Sequence, residues 1–323
     1  SGMADAEYYA KLPDLPDLII VTDSGFPICY GERGIASGWL CSREKLSDNI
    51  LLFQGGTATN QIPDQASITL RATPSVLEKA IKTDSVTLSQ KEDTLVITAH
   101  GKAGHIATAQ NAVNAIGVLM KYLLKYDLLE NHSDCSIFQQ AESMVNSPCG
   151  KIFQLSQNEA LANDVRYGCG IAKTEDGFLK FSFNARCPVA LNEGDVLQKI
   201  QEYAAANGFA AEETRVLPSN YFPKDRPVIQ ILHQVFGEIT GLHLEPQIFT
   251  AGTHARKLPN AVAFGPGIPD QSYYRDEEGL FPDGHGSCHM PDEAQSIPAL
   301  KEALRIYIRG VIALDGQDLS KEE

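Results

Sequence analysis

The order of apolar and polar positions along the chain predicts an α/β domain that is interrupted by a second, mixed domain. Near both ends of the chain, short aliphatic runs that stop at turn residues, such as 17–28, alternate with amphipathic helical patterns. Between the ends, alternating stretches at 85–102 and 167–188 predict two β-hairpins, and helical spacing follows each of them. This order is typical of an α/β fold that carries an α+β insert.

The boundaries of the two predicted domains follow from these patterns. We expect residues 3–34 and 217–323 to form an incomplete α/β domain, and residues 35–216 to form the insert. Two hairpins and two helices in this order predict antiparallel four-stranded sheets that are backed by helices. The clearest helical pattern covers 111–129, and further helical patterns cover 193–206, 227–242, where Gly241 marks the end of the helix, and 297–314. The mixed stretch 129–163 predicts no element.

Composition and charge narrow the class of protein. Of the 323 residues, 43% are hydrophobic and 21% are charged, which is typical of a globular chain, and the net charge of -14 disfavours a nucleic-acid partner. The chain has no apolar run of eighteen residues and no signal-peptide pattern, so we expect no membrane partner and a cytoplasmic location. The seven scattered cysteines lack a CxxC pair and therefore predict free thiols in a reducing compartment.

Two residues far apart in the sequence are candidates for binding a metal ion. Asp23 follows the aliphatic run at 17–22, and His289 lies in the segment GSCHMPDE, 286–293, directly before a helical pattern. Ligands of α/β folds bind beyond the carboxyl ends of strands, and mixed nitrogen and oxygen donors suit Zn²⁺ or Mn²⁺. Two ligands are fewer than the roughly three that a catalytic zinc requires. An ordinary capped helix start is the alternative for 286–293, and these residues taken alone favour it.

A second cluster of candidates is HGKAGHIATAQNAVNA, in which His100 and His105 flank two glycines. This segment does not contain the phosphate-loop pattern GxxxxGK[ST]. The chain does not contain the GxSxG pattern that surrounds a serine nucleophile. A histidine in a loop before a rigid helix could donate a hydrogen bond to a developing oxyanion. An incidental surface histidine is the alternative, and the pattern alone favours it.

Polar residues in three further segments could bind the carboxylate of a ligand. Asn60 lies in ATNQIP and Arg186 ends the strand pattern FNARCP, where its guanidinium could form a bidentate clamp. A salt bridge at a sheet edge explains Arg186 equally well. In TAGTHARKL, Thr253 and Arg256 could bind the carboxylate, or backbone N–H groups around Gly252 could hold an anion. A plain turn before a surface helix is the alternative.

Taken together, these segments resemble the M20 metallopeptidases, in particular the PepV-like and carnosinase-like dipeptidases. The resemblance rests on six segments in the family's order, TDSGFPICYGERG, TNQIPDQASITL, GKAGHIATAQNAVNAI, FNARCP, TAGTHARKL and GSCHMPDE. It implies a catalytic α/β domain that holds two metal ions, commonly zinc with manganese or cobalt as alternatives, and an inserted lid domain. By the same resemblance, Asp23 and His289 each bind one of the two ions.

The resemblance also implies how a substrate is bound. His105 corresponds to the lid histidine that stabilises the tetrahedral intermediate of peptide hydrolysis. Asn60 and Arg186 correspond to lid residues that position the substrate, and Gly252 and Thr253 contribute backbone that binds an anion. The implied substrate is a dipeptide or a small amide.

One departure from the family changes the expected activity. The family's HxD motif, bridging aspartate and Glu-Glu pair are not found ahead of Asp23, so we expect the N-terminal third of the enzyme to be missing. Such a chain should be inactive and bind metal weakly or not at all, and it could form homo-oligomers through the lid or an uncovered sheet edge. An M20 amidohydrolase of N-acyl amino acids and a non-catalytic dimerisation or peptide-binding remnant are the alternatives.

Overall fold

The structure is a computed structural model that describes residues 3–106, 112–147, 152–155, 167–187, 189, 191–249, 252–269, 280–281, 285–286 and 292–317. Its helices are α1 (Ala4–Tyr9), α2 (Pro74–Lys79), α3 (Ala115–Lys125), α4 (His132–Val145), α5 (Glu193–Ala206), α6 (Pro227–Thr240) and α7 (Ile297–Leu314). Its strands are β1 (Ile19–Val21), β2 (Ser24–Gly25), β3 (Cys29–Glu32), β4 (Gly34–Ser42), β5 (Ile50–Gly55), β6 (Gln61–Ile62), β7 (Gln65–Arg71), β8 (Val86–Lys91), β9 (Thr94–His100), β10 (Gly104–His105), β11 (Tyr167–Gly168), β12 (Ala172–Glu175), β13 (Phe178–Cys187), β14 (Phe209–Leu217), β15 (Asn220–Tyr221), β16 (Gln247–Phe249), β17 (Ala261–Ala263) and β18 (Pro266–Gly267).

The chain divides into two compact units, Ser1–Arg33 with Asn220–Glu323 and Gly34–Ser219. The first unit contains a small mixed sheet in the order β1-β17-β3-β15, in which β16 also pairs with β3. The pairs β1–β17 and β3–β16 are parallel, whereas β15 and β17 run antiparallel to β3. The first unit is therefore built around β3, which borders three other strands.

The core of the first unit is apolar and partly aromatic. The rings of Phe26 and Phe264 meet edge to face with centroids 4.7 Å apart, and both belong to a buried cluster that includes Leu232 of α6 and Ile306 of α7. Helix α6 ends at Gly241, whose φ of 72° is the left-handed conformation that glycine adopts without a steric cost. The predicted helix end at Gly241 is therefore confirmed.

The second unit contains an antiparallel sheet in the order β14-β4-β13-β12-β5-β7-β9-β8, with β11 also paired to β13. Both predicted hairpins are present, β8–β9 and β12–β13, and the turn of the second is Asp176-Gly177, with both residues at positive φ. The sheet has more than the four strands that we predicted. The two hairpin regions join through pairing of β12 with β5, at Ala172↔Gly55 and Lys173↔Gln54.

Helices pack against this larger sheet and complete the core of the second unit. Helix α3 contacts β7 and β9, and α5 contacts β14. Phe53, Phe138, Phe181 and Phe183 are fully buried in the resulting core. The predicted fold class, α/β with an antiparallel sheet backed by helices, is confirmed. The roles of residues 3–34 and 217–323 as catalytic domain and of 35–216 as lid stay predictions.

Helix α4 lies in the stretch for which the sequence predicted no element. Asn131 caps its start, because its side-chain oxygen accepts a hydrogen bond from the N–H of Ser133 at 2.7 Å. The helix buries Phe138, Ala141 and Met144 at helical spacing, a pattern that the many polar residues between them obscure. Within the described part of the chain, no helix is both long enough and apolar enough to cross a membrane.

Candidate functional site

Asp23 lies in a short, hydrogen-bonded loop at the carboxyl end of β1, as predicted. The following residues are held by β18, since Ser24 N donates to Gly265 O at 2.7 Å and Phe26 N donates to Gly267 O at 2.7 Å. The side chain of Asp23 is exposed. A fixed backbone with an accessible carboxylate is suitable for a metal ligand, because little conformational freedom is lost on binding.

His289 lies outside the described residues. Close to it in sequence, the Nδ1 atom of His285 lies 2.7 Å from Asp292 Oδ2. The part of the chain that the structure describes contains no group of three or more His, Cys, Asp or Glu residues that could hold a metal ion. Among the described residues, Asp23 is the predicted metal ligand, and a catalytic zinc requires more ligands than this one. The assignment of Asp23 and His289 as ligands stays a prediction.

The segment with Gly252 and Thr253 is organised by a buried carboxylate that the sequence analysis did not identify. Glu32, at the end of β3, is fully buried, and both its oxygens accept from Thr253 N at 3.1 Å. The hydroxyl of Thr253 donates a further, short hydrogen bond to Glu32 Oε1. Arg256 Nε donates to Glu32 Oε2 at 3.4 Å, and Arg256 Nη2 donates to Arg33 O at 3.2 Å. The only sequence signal for Glu32 is an isolated Glu-Arg pair between Gly31 and Gly34.

Burial has the largest effect on the pKa of Glu32. Loss of solvent raises the pKa of this carboxyl group above its ordinary value, and the hydrogen bonds from Thr253 and the charge of Arg256 offset the increase only in part. A carboxyl group with a raised pKa in the folded state contributes most to stability where it is protonated.

The pH dependence of stability follows from this shift. The contribution of Glu32 is fully present below its ordinary pKa of 4.5 and is lost as the pH rises through the raised pKa. Glu32→Gln does not titrate, so the free energy of unfolding of the wild type relative to this variant should fall as the pH rises above 4.5. Urea denaturation of both proteins in a series of buffers from pH 4.5 upwards measures the difference. A difference that stays constant or grows with pH would contradict the expectation.

In the second unit, the structure brings two predicted substrate-binding residues together through their backbones. Strand β10 pairs with β6 at His105↔Gln61, and Ile106 N donates to Asn60 O at 3.1 Å. Asn60 is exposed. The structure therefore places Asn60 beside the backbone of His105, although 44 residues separate them in the sequence.

Arg186 lies on β13, the strand that leads to this region. Two residues before it, Asn184 pairs with Gly168 of β11. A Cβ atom at Gly168 would lie 2.7 Å from side-chain atoms of Ile106 and Ile62, so β11 packs closely on the two segments that contain His105 and Asn60. Arg186 is 8% exposed, and its predicted role in binding a carboxylate stays a prediction.

The buried cysteines of the described residues do not provide a nucleophile. Cys29, Cys41, Cys135, Cys169 and Cys187 are free thiols, in line with the prediction from the sequence. Burial raises the pKa of Cys29 and of Cys187 to about 12 and raises that of Cys169 further above its ordinary range. Because the thiolate is the reactive form, these buried cysteines are inert at neutral pH.

Comparison with known proteins supports the predicted resemblance to dipeptidases. No family model matches the chain. The Staphylococcus saprophyticus protein named "Putative dipeptidase SSP1012" is 25% identical over 324 residues, which cover 95% of this chain and 66% of the relative. The Beta-Ala-Xaa dipeptidase of Lactobacillus delbrueckii subsp. lactis is 24% identical over 278 residues, which cover 80% of this chain and 57% of the relative. The crystal structure of aminoacylhistidine dipeptidase from Vibrio alginolyticus matches 80% of this chain and 61% of its own, with 13% identity and a TM-score of 0.41.

The similarity covers nearly all of this chain but only part of each relative. The chain spans about two thirds of the length of the Staphylococcus relative. The resemblance to dipeptidases that the sequence predicted is confirmed by these relatives. The activity, substrates and partners of the whole protein remain proposals.

Proposed function

We propose that this chain belongs to a metal-dependent dipeptidase of the M20 type, which hydrolyses dipeptides or short peptides. The observation that carries the proposal is the alignment of 95% of the chain with a protein named as a putative dipeptidase. A second aligned relative is named as a Beta-Ala-Xaa dipeptidase, which favours dipeptides with an N-terminal β-alanine as the first substrates to test. The proposed compartment is the cytoplasm.

The geometry of each unit is compatible with the roles that the resemblance implies. In the first unit, Asp23 presents an exposed carboxylate from a fixed loop, and we assign it to one of two divalent ions, with His289 assigned to the other. Divalent ions at such a site would supply Lewis acidity and an activated water. Zinc is our first choice, because aspartate and histidine together are common zinc ligands.

The second unit would contribute the substrate-binding residues. We assign the carboxylate of the dipeptide to Arg186, since a guanidinium binds a carboxylate with two parallel hydrogen bonds. His105 would donate a hydrogen bond to the developing oxyanion, and Asn60, beside its backbone, would orient the same end of the substrate. In this assignment, residues 3–34 and 217–323 act as the catalytic domain and 35–216 as its lid.

The proposed function predicts a metal-dependent peptidase activity for the full-length gene product. After incubation with Zn²⁺, Mn²⁺ or Co²⁺, the protein should release free amino acids from β-alanyl and α-aminoacyl dipeptides, and EDTA should abolish the release. The assay is separation and quantification of the products by chromatography. Metal content, measured by plasma emission spectroscopy, should reach about two ions per chain, because paired metal ions stabilise both the attacking and leaving groups.

A matched set of substrates separates this function from the related amidohydrolase activity. N-acetyl amino acids lack the free amino group of a dipeptide but retain the amide bond and the carboxylate. We expect them to be cleaved much more slowly than dipeptides with the same C-terminal residue. Faster cleavage of the N-acetyl compounds, or the absence of dipeptide hydrolysis with all three metals, would contradict the proposal.

A further inference from the structure

Helix α7 has apolar side chains on two opposite faces. One face is buried in the core of the first unit and includes Ala303 and Ile306. On the other face lie aliphatic side chains that are each between 43% and 67% exposed, namely Ile297, Leu300, Leu304, Ile308, Val311 and Ile312. Their spacing of mostly three or four residues places them along one side of the helix. Together they form the outer stripe of α7.

The outer stripe has no counterpart on the other long helices of the structure. Helices α3, α4, α5 and α6, all of which lie within the described residues, expose no large hydrophobic side chain. A helix that is apolar on opposite faces is typical of the interior of a larger domain, because both faces have to be covered. Helix α7 is not among helices that could cross a membrane. The stripe therefore predicts a further layer of protein over α7.

The apolar surface of the first unit extends beyond α7. A cleft between α6 and α7 is lined by Ile231 and Val235 of α6 and by Ile312, which also belongs to the outer stripe. The sheet of the same unit has an open end, since β1 pairs with β17 alone among the described strands, and Ile19 and Ile20 are half-buried. A covering layer over the first unit would thus find apolar surface at both places.

The size of the outer stripe favours a covering segment of the same polypeptide over a second copy of the chain. Helix α7 has 18 residues, which gives a face about 27 Å long and about 10 Å wide, or roughly 270 Å². A stable interface between separate proteins buries about 800 Å² on each partner. A segment of the same polypeptide can cover a smaller face, because it does not lose the freedom of a separate molecule when it packs.

The charges beside the outer stripe also disfavour a second copy. Lys301, Arg305 and Arg309 follow one another at intervals of four residues and form a basic row along one side of the stripe. A two-fold contact would pair the stripe with itself and bring the basic rows of both copies into one interface, where like charges oppose association. A segment that carries acidic side chains beside an apolar face would complement this surface.

The relatives show that the full-length protein has room for such a segment. The alignment with the Staphylococcus relative covers 66% of that protein, so about a third of its length has no counterpart in residues 1–323. We propose that an amphipathic segment from outside residues 1–323 covers the outer stripe of α7 in the full-length protein. Its aliphatic side chains lie on the stripe and its acidic side chains lie beside the basic row. The proposal is independent of the proposed function, since it requires neither metal nor substrate.

Thiol labelling of the full-length gene product tests this packing. Leu304→Cys and Ile308→Cys each place a thiol in the outer stripe. Ile81→Cys is the matched control in the second unit, because Ile81 is 53% exposed, close to the 59% of Leu304 and the 52% of Ile308. A covered thiol reacts only when the structure opens, so the thiols at 304 and 308 should react at least about 100-fold more slowly than the thiol at 81. Mass spectrometry of proteolytic peptides assigns each modification to its position.

Dilution and lipid vesicles distinguish the possible covers of the stripe. Slow labelling at 304 and 308 that does not depend on protein concentration supports the proposal. If dilution made labelling as fast as at 81, a second copy would be the cover, and the proposal would be wrong. It would also be wrong if labelling were slow only with vesicles of phosphatidylglycerol, which would indicate a membrane surface. Equal rates at all three positions under every condition would show that the stripe stays exposed and would overturn the proposal.

Photocrosslinking identifies the covering segment. Benzoylphenylalanine in place of Arg305 lies in the basic row, where the arginine side chain is 68% exposed, so the large group does not have to enter the apolar contact. We expect a crosslink within one molecule, to a peptide outside residues 1–323. A crosslink between two molecules, or one that joins position 305 only to peptides within residues 1–323, would contradict the proposal.

Discussion

Replacing Asp23 by Asn is expected to lower dipeptide hydrolysis by the full-length protein at least about 100-fold. Loss of a residue that only supports a metal ligand costs about 10–100-fold in metal affinity or activity, and loss of a ligand itself should cost no less. The side chain of Asp23 is exposed, so the free energy of unfolding should change by less than about 0.5 kcal/mol. Steady-state kinetics, metal analysis and urea denaturation of the metal-free protein measure the three quantities.

Asp17 provides the matched control, because it precedes β1 whereas Asp23 follows it. Both side chains are exposed, and Asp17→Asn removes the same charge from the opposite end of the same strand. We expect wild-type turnover and metal content for Asp17→Asn. If Asp23→Asn also retained near-normal turnover and metal content, Asp23 would not be a ligand, and the proposed metal site would have to be built from other residues.

Elements with local start and stop signals were predicted well from the sequence. Helix α5 was predicted at its observed bounds, and its cap Asn192 accepts a hydrogen bond from Asp195 N at 2.9 Å. Helices α6 and α7 both begin with a proline in the first turn, and α6 ends at Gly241. These signals act over a few residues, so a single sequence is sufficient to identify them.

Pairing between distant segments was not predictable in the same way. The joining of β5 to β12 turns two hairpin regions into one sheet, yet neither strand carries a signal that specifies the other as its neighbour. The two-residue strands β6 and β10, which bring Asn60 beside the backbone of His105, are too short for a periodic pattern. Long-range register depends on packing of the whole core, which composition and spacing do not encode locally.

The candidate site shows the same division between local and long-range information. Asp23 was identified from a strand followed by turn residues, and its exposed position after β1 agrees with that pattern. Glu32 was missed, because an isolated glutamate between glycines is typical of an exposed loop, and only the fold shows that it is fully buried. A buried carboxyl group requires hydrogen-bond partners, and those of Glu32 are Thr253 and Arg256, which are far from it in the sequence.

Replacing Gly56 by Ala is expected to have the largest effect on stability among the changes considered. Gly56 has a φ of 71°, and a Cβ atom there would lie 1.9 Å from the carbonyl oxygen of Gly170. The left-handed conformation costs about 1–2 kcal/mol for alanine, and the clash with backbone adds about 1–3 kcal/mol. We therefore expect the free energy of unfolding to fall by roughly 2–5 kcal/mol, measured by urea denaturation.

The variant Gly208→Ala separates the cost of the left-handed conformation from the cost of the steric clash. Its φ of 77° is similar to that of Gly56, but no atom lies within 4 Å of the position that a Cβ would occupy. Gly208→Ala should therefore cost only the conformational part, about 1–2 kcal/mol. The excess cost in Gly56→Ala then measures how tightly the segment that leads to Asn60 is packed on Gly170. If the two variants lost the same free energy of unfolding, the segment that leads to Asn60 would be able to move away from Gly170 without cost. Asn60 would then lack the fixed position that substrate binding requires.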